Sequence, residues 1–241
     1  MKLYRPALLL IFILLITGCG DRNIKKESAA VTPAVSVIAV YKNFEDMAGG
    51  GVKLIFRRLD NLEYIIFQTD TAGLAAAGYP LVLIQDGIIT VNNDYLNLKF
   101  EIAYTGEAAG DPASASAVYR LYSIKRAPGD RFSAAKIEND VEADDFLLTL
   151  KEKIRQNDAN GISLMISYPV TVVINKKRIK ITSPERFVNN FSQIFNQKVT
   201  GAVLNQAPAD VRASSKGLMI GNGVIWLNSI NGKIAITAIN N

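Results

Sequence analysis

Short stretches in which apolar and polar residues alternate run from Val35 to about Asp140, and they limit the folds open to this half of the chain. Strict alternation is typical of β-strands, because successive side chains point to opposite faces of a sheet. Turn residues such as Asp86-Gly87 separate the stretches, and no helical spacing interrupts them. We therefore predict a β-domain over residues 35–140, either an antiparallel sandwich or a small barrel. The predicted strands are Val35–Tyr41, Val52–Leu59, Glu63–Thr69, Leu81–Ile84, Ile88–Val91, Leu96–Tyr104, Ala117–Lys125 and Phe132–Ile137.

One stretch in this half has no alternation. Gly106 to Ser116 is rich in Ala, Gly and Ser and contains a proline. Such composition is typical of loops, so we predict a long surface loop there.

The apolar spacing changes from about Val141 onward. Phe146, Leu147, Leu150 and Ile154 recur at helical spacing. Ser183-Pro184 is a good helix start, with Ser as the N-cap and Pro at the first helical position. We predict a second, α+β domain over residues 141–241. Its predicted strands are Val170–Ile174, Arg178–Ile181, Gly217–Ile220, Val224–Leu227 and Lys233–Ile239, and Phe187, Val188, Phe191, Ile194 and Phe195 are predicted to share one side of a helix.

The order of elements in this second half resembles the NTF2-like cone fold. The strings "ISYPVTVVINKKRIKITSPERFVNNFSQIF" and "GLMIGNGVIWLN" are similar to a subgroup found in uncharacterised bacterial envelope proteins. The resemblance implies a curved antiparallel sheet around a cone-shaped pocket, which some relatives use for catalysis. The expected architecture is thus α+β, with an antiparallel all-β domain followed by an NTF2-like cone domain.

The N-terminus has the order of a secretory signal. Lys2 and Arg5 precede an apolar stretch, Ala7 to Ile16, and small residues lead to Cys19. The apolar stretch is too short for a membrane span, which needs about 20 residues. Its ending, Ile16-Thr17-Gly18-Cys19, resembles the lipobox of bacterial lipoproteins.

The lipobox resemblance implies three modifications. They are attachment of lipid to the Cys19 thiol, cleavage before that residue, and acylation, such as with palmitate, of the new amino terminus. We expect a signal peptide over residues 1–18 and a flexible tether over residues 19–34. The residue after Cys19 is Gly20 rather than the aspartate that retains lipoproteins in the inner membrane of enteric bacteria. We therefore expect an outer-membrane lipoprotein that faces the periplasm.

Composition removes several kinds of chemistry. The chain contains no histidine, and Cys19 is its only cysteine. A histidine base, a thiol nucleophile, a disulfide and a His or Cys metal site are therefore excluded, and we expect neither a metal nor a cofactor. The net charge is +5, but its basic residues are scattered, so we expect no nucleic-acid partner.

Two functions compete for the second half. The favoured one is a non-catalytic role, in which the protein binds another envelope protein or a small ligand. Tyr168, Arg212 and Trp226 are the predicted contacts at the mouth of the cone. The alternative is an enzyme that uses the cone cavity, with Asp158 as a carboxylate base and Tyr168 as a hydrogen-bond donor. Without histidine or a convergent polar set, an enzyme is the less favoured interpretation.

Overall fold

Strands and helices both build the protein, in several separate sheets, which confirms the α+β class. The computed structural model describes residues 34–47, 49, 51–70, 74, 78–109 and 118–241. The predicted signal peptide, Cys19 and the predicted tether up to residue 33 lie outside these residues. The described residues group into one compact unit.

Five strands of the first half close into a barrel. Each strand pairs with two neighbours in the order β1-β2-β3-β7-β6, and β6 pairs back to β1. All of these pairs are antiparallel except β3 with β7, where Ile66 lies opposite Val118. The strands are β1 (Ala34–Met47), β2 (Gly51–Arg58), β3 (Tyr64–Asp70), β6 (Lys99–Ala109) and β7 (Val118–Arg126).

Aromatic rings fill the barrel. Phe56 lies at the centre of the cluster, with ring centroids 5.3 Å from Tyr41, 5.7 Å from Phe67 and 6.0 Å from Phe100. On β2, Val52 and Phe56 are both fully buried and their sequence neighbours are not, as the alternating pattern requires. The alternating residues of β2 therefore form a buried inner face and a partly exposed outer face.

A separate hairpin stands beside the barrel. It consists of β4 (Val82–Gln85) and β5 (Ile88–Val91). Its turn residues Asp86 and Gly87 have φ of 52° and 78°, as the tight two-residue turn of such a hairpin requires. Leu83, Ile84 and Ile88 are about half exposed or more, so most of this hairpin projects from the core.

The second half has a hydrophobic core of its own, between helices and a four-stranded antiparallel sheet ordered β10-β11-β12-β13. The outer edge of β13 is covered, because Ser167 N–H donates to Ile236 O and Ile236 N–H donates to Met165 O. The helices are α1 (Asp140–Arg155), α2 (Ala159–Ser163), α3 (Pro184–Val188), α4 (Phe191–Ile194) and α5 (Gln197–Leu204). The strands are β8 (Val170–Ile174), β9 (Lys177–Ile181), β10 (Arg212–Ser214), β11 (Gly217–Ile220), β12 (Ile225–Ile230) and β13 (Lys233–Ile239).

Three predictions about local structure need correction. The strand predicted over Phe132–Ile137 is wrong, because Ser133–Ala135 form a 3-10 helix. Phe132 and Ala135 are three residues apart and therefore lie on the same side of that helix, where both are buried in the second core. This core thus begins before residue 141.

The loop predicted over Gly106–Ser116 is wrong at its start. Strand β6 continues to Ala109, which pairs with Val118 of β7, so ladder pairing overrides the low strand propensity of Gly and Ala. The rest of that predicted loop lies outside the described residues.

The aromatic helix predicted around Phe187 is divided into α3 and α4. The ring centroids of Phe187, Phe191 and Phe195 nevertheless lie 5.4–5.8 Å apart. These three side chains therefore still pack together, as predicted.

Buried ion pairs join the barrel to α1. Arg126, at the end of β7, donates to Asp144 of α1 at 2.5 Å, and Arg131 donates to the same carboxylate at 2.6 Å. Further along α1, Lys151 is paired with Asp94 from the segment between β5 and β6. Helix α1 is therefore held to the first half of the chain at two points, one on the barrel and one on the segment before β6.

Candidate functional site

A groove on the four-stranded sheet contains two of the predicted contact residues, Arg212 and Trp226. Its volume is about 410 Å³. Arg212 of β10 lies opposite Met219 of β11, which lies opposite Trp226 of β12. Residues that are directly opposite on adjacent strands share a face of the sheet. The antiparallel register therefore places a cation, a thioether and an indole in one row.

The end of β10 and the turn to β11 form the other wall of the groove. Ser214, Ser215 and Lys216 line it. Lys216 N–H donates to Ser214 Oγ at 3.2 Å, which fixes the turn. Gly217 follows with φ of 121°, and a Cβ there would lie 2.4 Å from Leu227 O. The turn from β10 to β11 therefore requires glycine at this position.

The groove is rich in unpaired donors. Among the described residues, no hydrogen bond or ion pair engages the guanidinium of Arg212, the ammonium of Lys216 or the indole N–H of Trp226. Arg212 and Lys216 are exposed, and Trp226 is half-buried. No acidic side chain is among the described residues that line the groove. This surface is suited to a ligand whose anionic group accepts from these donors and whose apolar part packs on Met219 and Trp226.

Tyr168, the third predicted contact, does not line this groove. It follows Ser167, which bonds to the β13 edge of the sheet, whereas Arg212 is on β10 at the opposite edge. Its hydroxyl donates to Ser163 O at 3.0 Å, and burial raises its pKa to about 12. The three predicted residues therefore divide into a pair in the groove and a separate tyrosine that closes a local hydrogen bond.

Asp158, the base of the alternative enzyme hypothesis, caps helix α2. Its carboxylate accepts from Gly161 N–H at 2.7 Å and from Lys153 Nζ at 2.9 Å. These two contacts hold the pKa of Asp158 below its usual value. A general base works best with a pKa near the operating pH, so a lowered pKa is unfavourable for that role. The contacts favour a capping role.

Two larger cavities differ from the groove because acidic and basic side chains both line their walls. One, of about 650 Å³, lies beside the barrel strands, and its wall combines Asp70 with Arg120. The other, of about 610 Å³, lies between Asp94 and α1. There Asp94 is paired with Lys151 and Arg155, so its charge serves the contact between barrel and helix.

Sequence reasoning missed Lys216 and Met219 as groove residues. The predicted strands did not include β10, and Lys216 lies in the turn that follows it. The strands Gly217–Ile220 and Val224–Leu227 were predicted, and pairing them across the short turn between them would have placed Met219 beside Trp226.

No helix in the described part of the chain is both long and apolar enough to cross a membrane. No protein-family model matches the sequence, and a search of curated proteins found no match.

Proposed function

We propose that the chain is an envelope lipoprotein, anchored through lipid on Cys19, whose folded part binds an acidic partner without catalysing a reaction. The lipobox at Ile16-Thr17-Gly18-Cys19 supports the anchor, and Gly20 supports the outer membrane, facing the periplasm, as its location. We also infer that residues 141–241 are an NTF2-like domain. Its order of helices, hairpin, helices and antiparallel sheet is consistent with that inference.

The observation that carries the binding proposal is the groove, in which Arg212, Lys216 and Trp226 are all unpaired among the described residues. Both cations line the groove, and a charge-assisted hydrogen bond from a guanidinium or an ammonium to a carboxylate is one of the stronger kinds. The apolar part of the partner would lie on Met219 and the indole. Aromatic and arginine side chains are also those that contribute most at protein interfaces.

The enzyme alternative has weaker support. It needs Asp158 to be available as a base, but that carboxylate already accepts from Gly161 and Lys153. The hydroxyl of Tyr168 is likewise used, on Ser163 O.

Binding in the groove can be followed without a label, because Trp226 is the only tryptophan of the chain. We expect a poly-glutamate peptide to change its fluorescence, and added salt to weaken the effect because it screens exposed charges. Arg212→Gln and Lys216→Gln should each weaken binding about tenfold, as for the loss of about 1.4 kcal/mol. Lys233→Gln is the matched control, since Lys233 is exposed on β13 outside the groove. Equal weakening by all three variants would contradict a site in the groove.

The partner and the anchor have separate tests. Cross-linking in intact envelopes, followed by pull-down, should recover fewer partners with Trp226→Ala or Arg212→Ala than with the parent protein. Cys19→Ser should abolish incorporation of labelled palmitate and release the protein into the soluble periplasmic fraction. Unchanged labelling of that variant would refute the lipid anchor.

A further inference from the structure

The turn between β2 and β3 carries an apolar patch on the outside of the barrel. The turn patch consists of Ile38, Leu59, Leu62 and Tyr64, which are 47%, 45%, 57% and 66% exposed. Leu59 N–H donates to Ile38 O, and Arg57, which lies opposite Tyr64, donates from Nε to Leu62 O, so the four residues are neighbours. Contiguous exposed apolar surface on a folded protein is a sign of an interaction site.

Leu62 stands out within the patch. Its φ is 63°, in the left-handed region that non-glycine residues seldom adopt. Among the described residues, every other non-glycine residue with positive φ is Asn, Asp or Lys. A leucine that is exposed in this conformation contributes little to the core and is unfavourable for the backbone. The turn therefore holds a large aliphatic group outward where asparagine or glycine would fit the backbone better.

The position of the patch in the chain indicates what it touches. Ile38 lies four residues after Ala34, where the described part of β1 begins. Ala34 comes fifteen positions after Cys19, and even a fully extended chain of that length spans at most about 50 Å. As a flexible coil it would span about 20 Å. A lipid on Cys19 would thus keep this end of the barrel close to a bilayer surface.

The charges around the patch are compatible with a lipid surface. Arg58 and Asp60 neutralise each other in an ion pair at 2.5 Å, and Glu63 accepts from Asn61. Among the described residues, Arg57 makes no side-chain bond besides that to Leu62 O. Its remaining donors are available to a lipid phosphate. Tyrosine is a residue that favours the membrane interface, where the ring is in the apolar layer and the hydroxyl in water.

We propose that the turn patch is a membrane-contact surface, which inserts Leu62 and Tyr64 shallowly into the bilayer to which the protein is anchored. This inference rests on the proposed lipid anchor. The lipid on Cys19 would be the first attachment to the bilayer and the turn patch the second. Because the first attachment keeps the patch near the membrane, the second forms at a high effective concentration and fixes the orientation of the barrel.

Depth-dependent quenching tests the contact. In a Trp226→Phe background, Leu62→Trp or Tyr64→Trp puts a single tryptophan in the patch. Ile88→Trp is the matched control, because Ile88 is 65% exposed at the tip of the β4–β5 hairpin. The full-length lipidated protein is reconstituted into phosphatidylcholine vesicles with brominated acyl chains, and circular dichroism confirms that each variant is folded.

We expect both patch tryptophans to be quenched at least threefold more strongly than the control at position 88. Equal quenching at the three positions, or none in the patch, would overturn the membrane contact. If Cys19 proves unmodified, its free thiol can be coupled to a maleimide phospholipid in the same vesicles. Quenching measured with that artificial anchor then tests the patch independently, so failure of the lipoprotein proposal and failure of the contact are distinguishable.

Discussion

The buried ion pair between Arg126 and Asp144 should be a main determinant of stability, and the chain contains an exposed pair for comparison. In both Arg126–Asp144 and Arg58–Asp60 the nitrogen–oxygen distance is 2.5 Å. The aspartate side chain is 1% exposed in the first pair and 57% exposed in the second. The two pairs therefore differ strongly in solvation.

Asp144→Asn would leave the Arg126 guanidinium buried without a counter-charge. Nε and Nη1 of Arg126 already lack hydrogen-bond partners among the described residues. No neighbouring group in that part of the chain would therefore replace the carboxylate that Asp144→Asn removes. Removing one member of a buried pair costs about 3–5 kcal/mol. Arg131 also contacts Asp144 but is 26% exposed and can be rehydrated, so we expect the lower end, about 3 kcal/mol. In a protein of this size that lowers Tm by about 6–12 °C.

The assay is urea unfolding of the parent protein, Asp144→Asn and Asp60→Asn, followed by circular dichroism. Asp60→Asn should change the free energy of unfolding far less, because exposed pairs contribute little. The double variant Arg126→Met with Asp144→Leu should recover much of the loss, since it removes both charges from the buried site. If Asp144→Asn is no more destabilising than Asp60→Asn, the argument from burial is refuted.

Two other predictions concern the second half of the chain. The pKa of Tyr168 is raised to about 12 from 10.0 for free tyrosine, so its stabilising contribution is complete below pH 10 and is lost as the pH rises through 12. In urea titrations, the difference in stability between the parent and Tyr168→Phe should therefore shrink between pH 10 and 12. A constant difference would contradict this prediction. Gly217→Ala should lower the free energy of unfolding by more than about 1 kcal/mol, because the new Cβ would collide with Leu227 O. Gly232→Ala should lower it less in the same urea assay, because nothing lies within 4 Å of a Cβ at that position. Equal losses would show that the backbone conformation alone determines the effect.

Alternating residues were enough to predict most strands of the first half, because their period of two is a local property. The structure assigns β2 to Gly51–Arg58, close to the predicted Val52–Leu59. Barrel closure could not be predicted in the same way. It depends on β3 pairing in parallel with β7, between residues far apart in sequence.

The candidate site was predictable only in part, for a similar reason. Trp226 and Arg212 were selected by residue type, and the register across three strands then brought them together. Tyr168 was selected in the same way, but Ser167 is attached to the other edge of the sheet. A resemblance of element order does not fix which side chains meet, since that depends on register and on edges.

The parallel pairing of β3 with β7 has a consequence for biogenesis. On the proposal that the chain is secreted, it would leave its translocation channel N-terminus first, and the β1–β3 meander would be exported before its closing strand. Until Val118–Arg126 arrived, β3 would present an unpaired edge to neighbouring chains. The half-exported barrel would then be the state most open to misassembly, and chaperones that shield strand edges should affect the yield of folded protein more than its final stability.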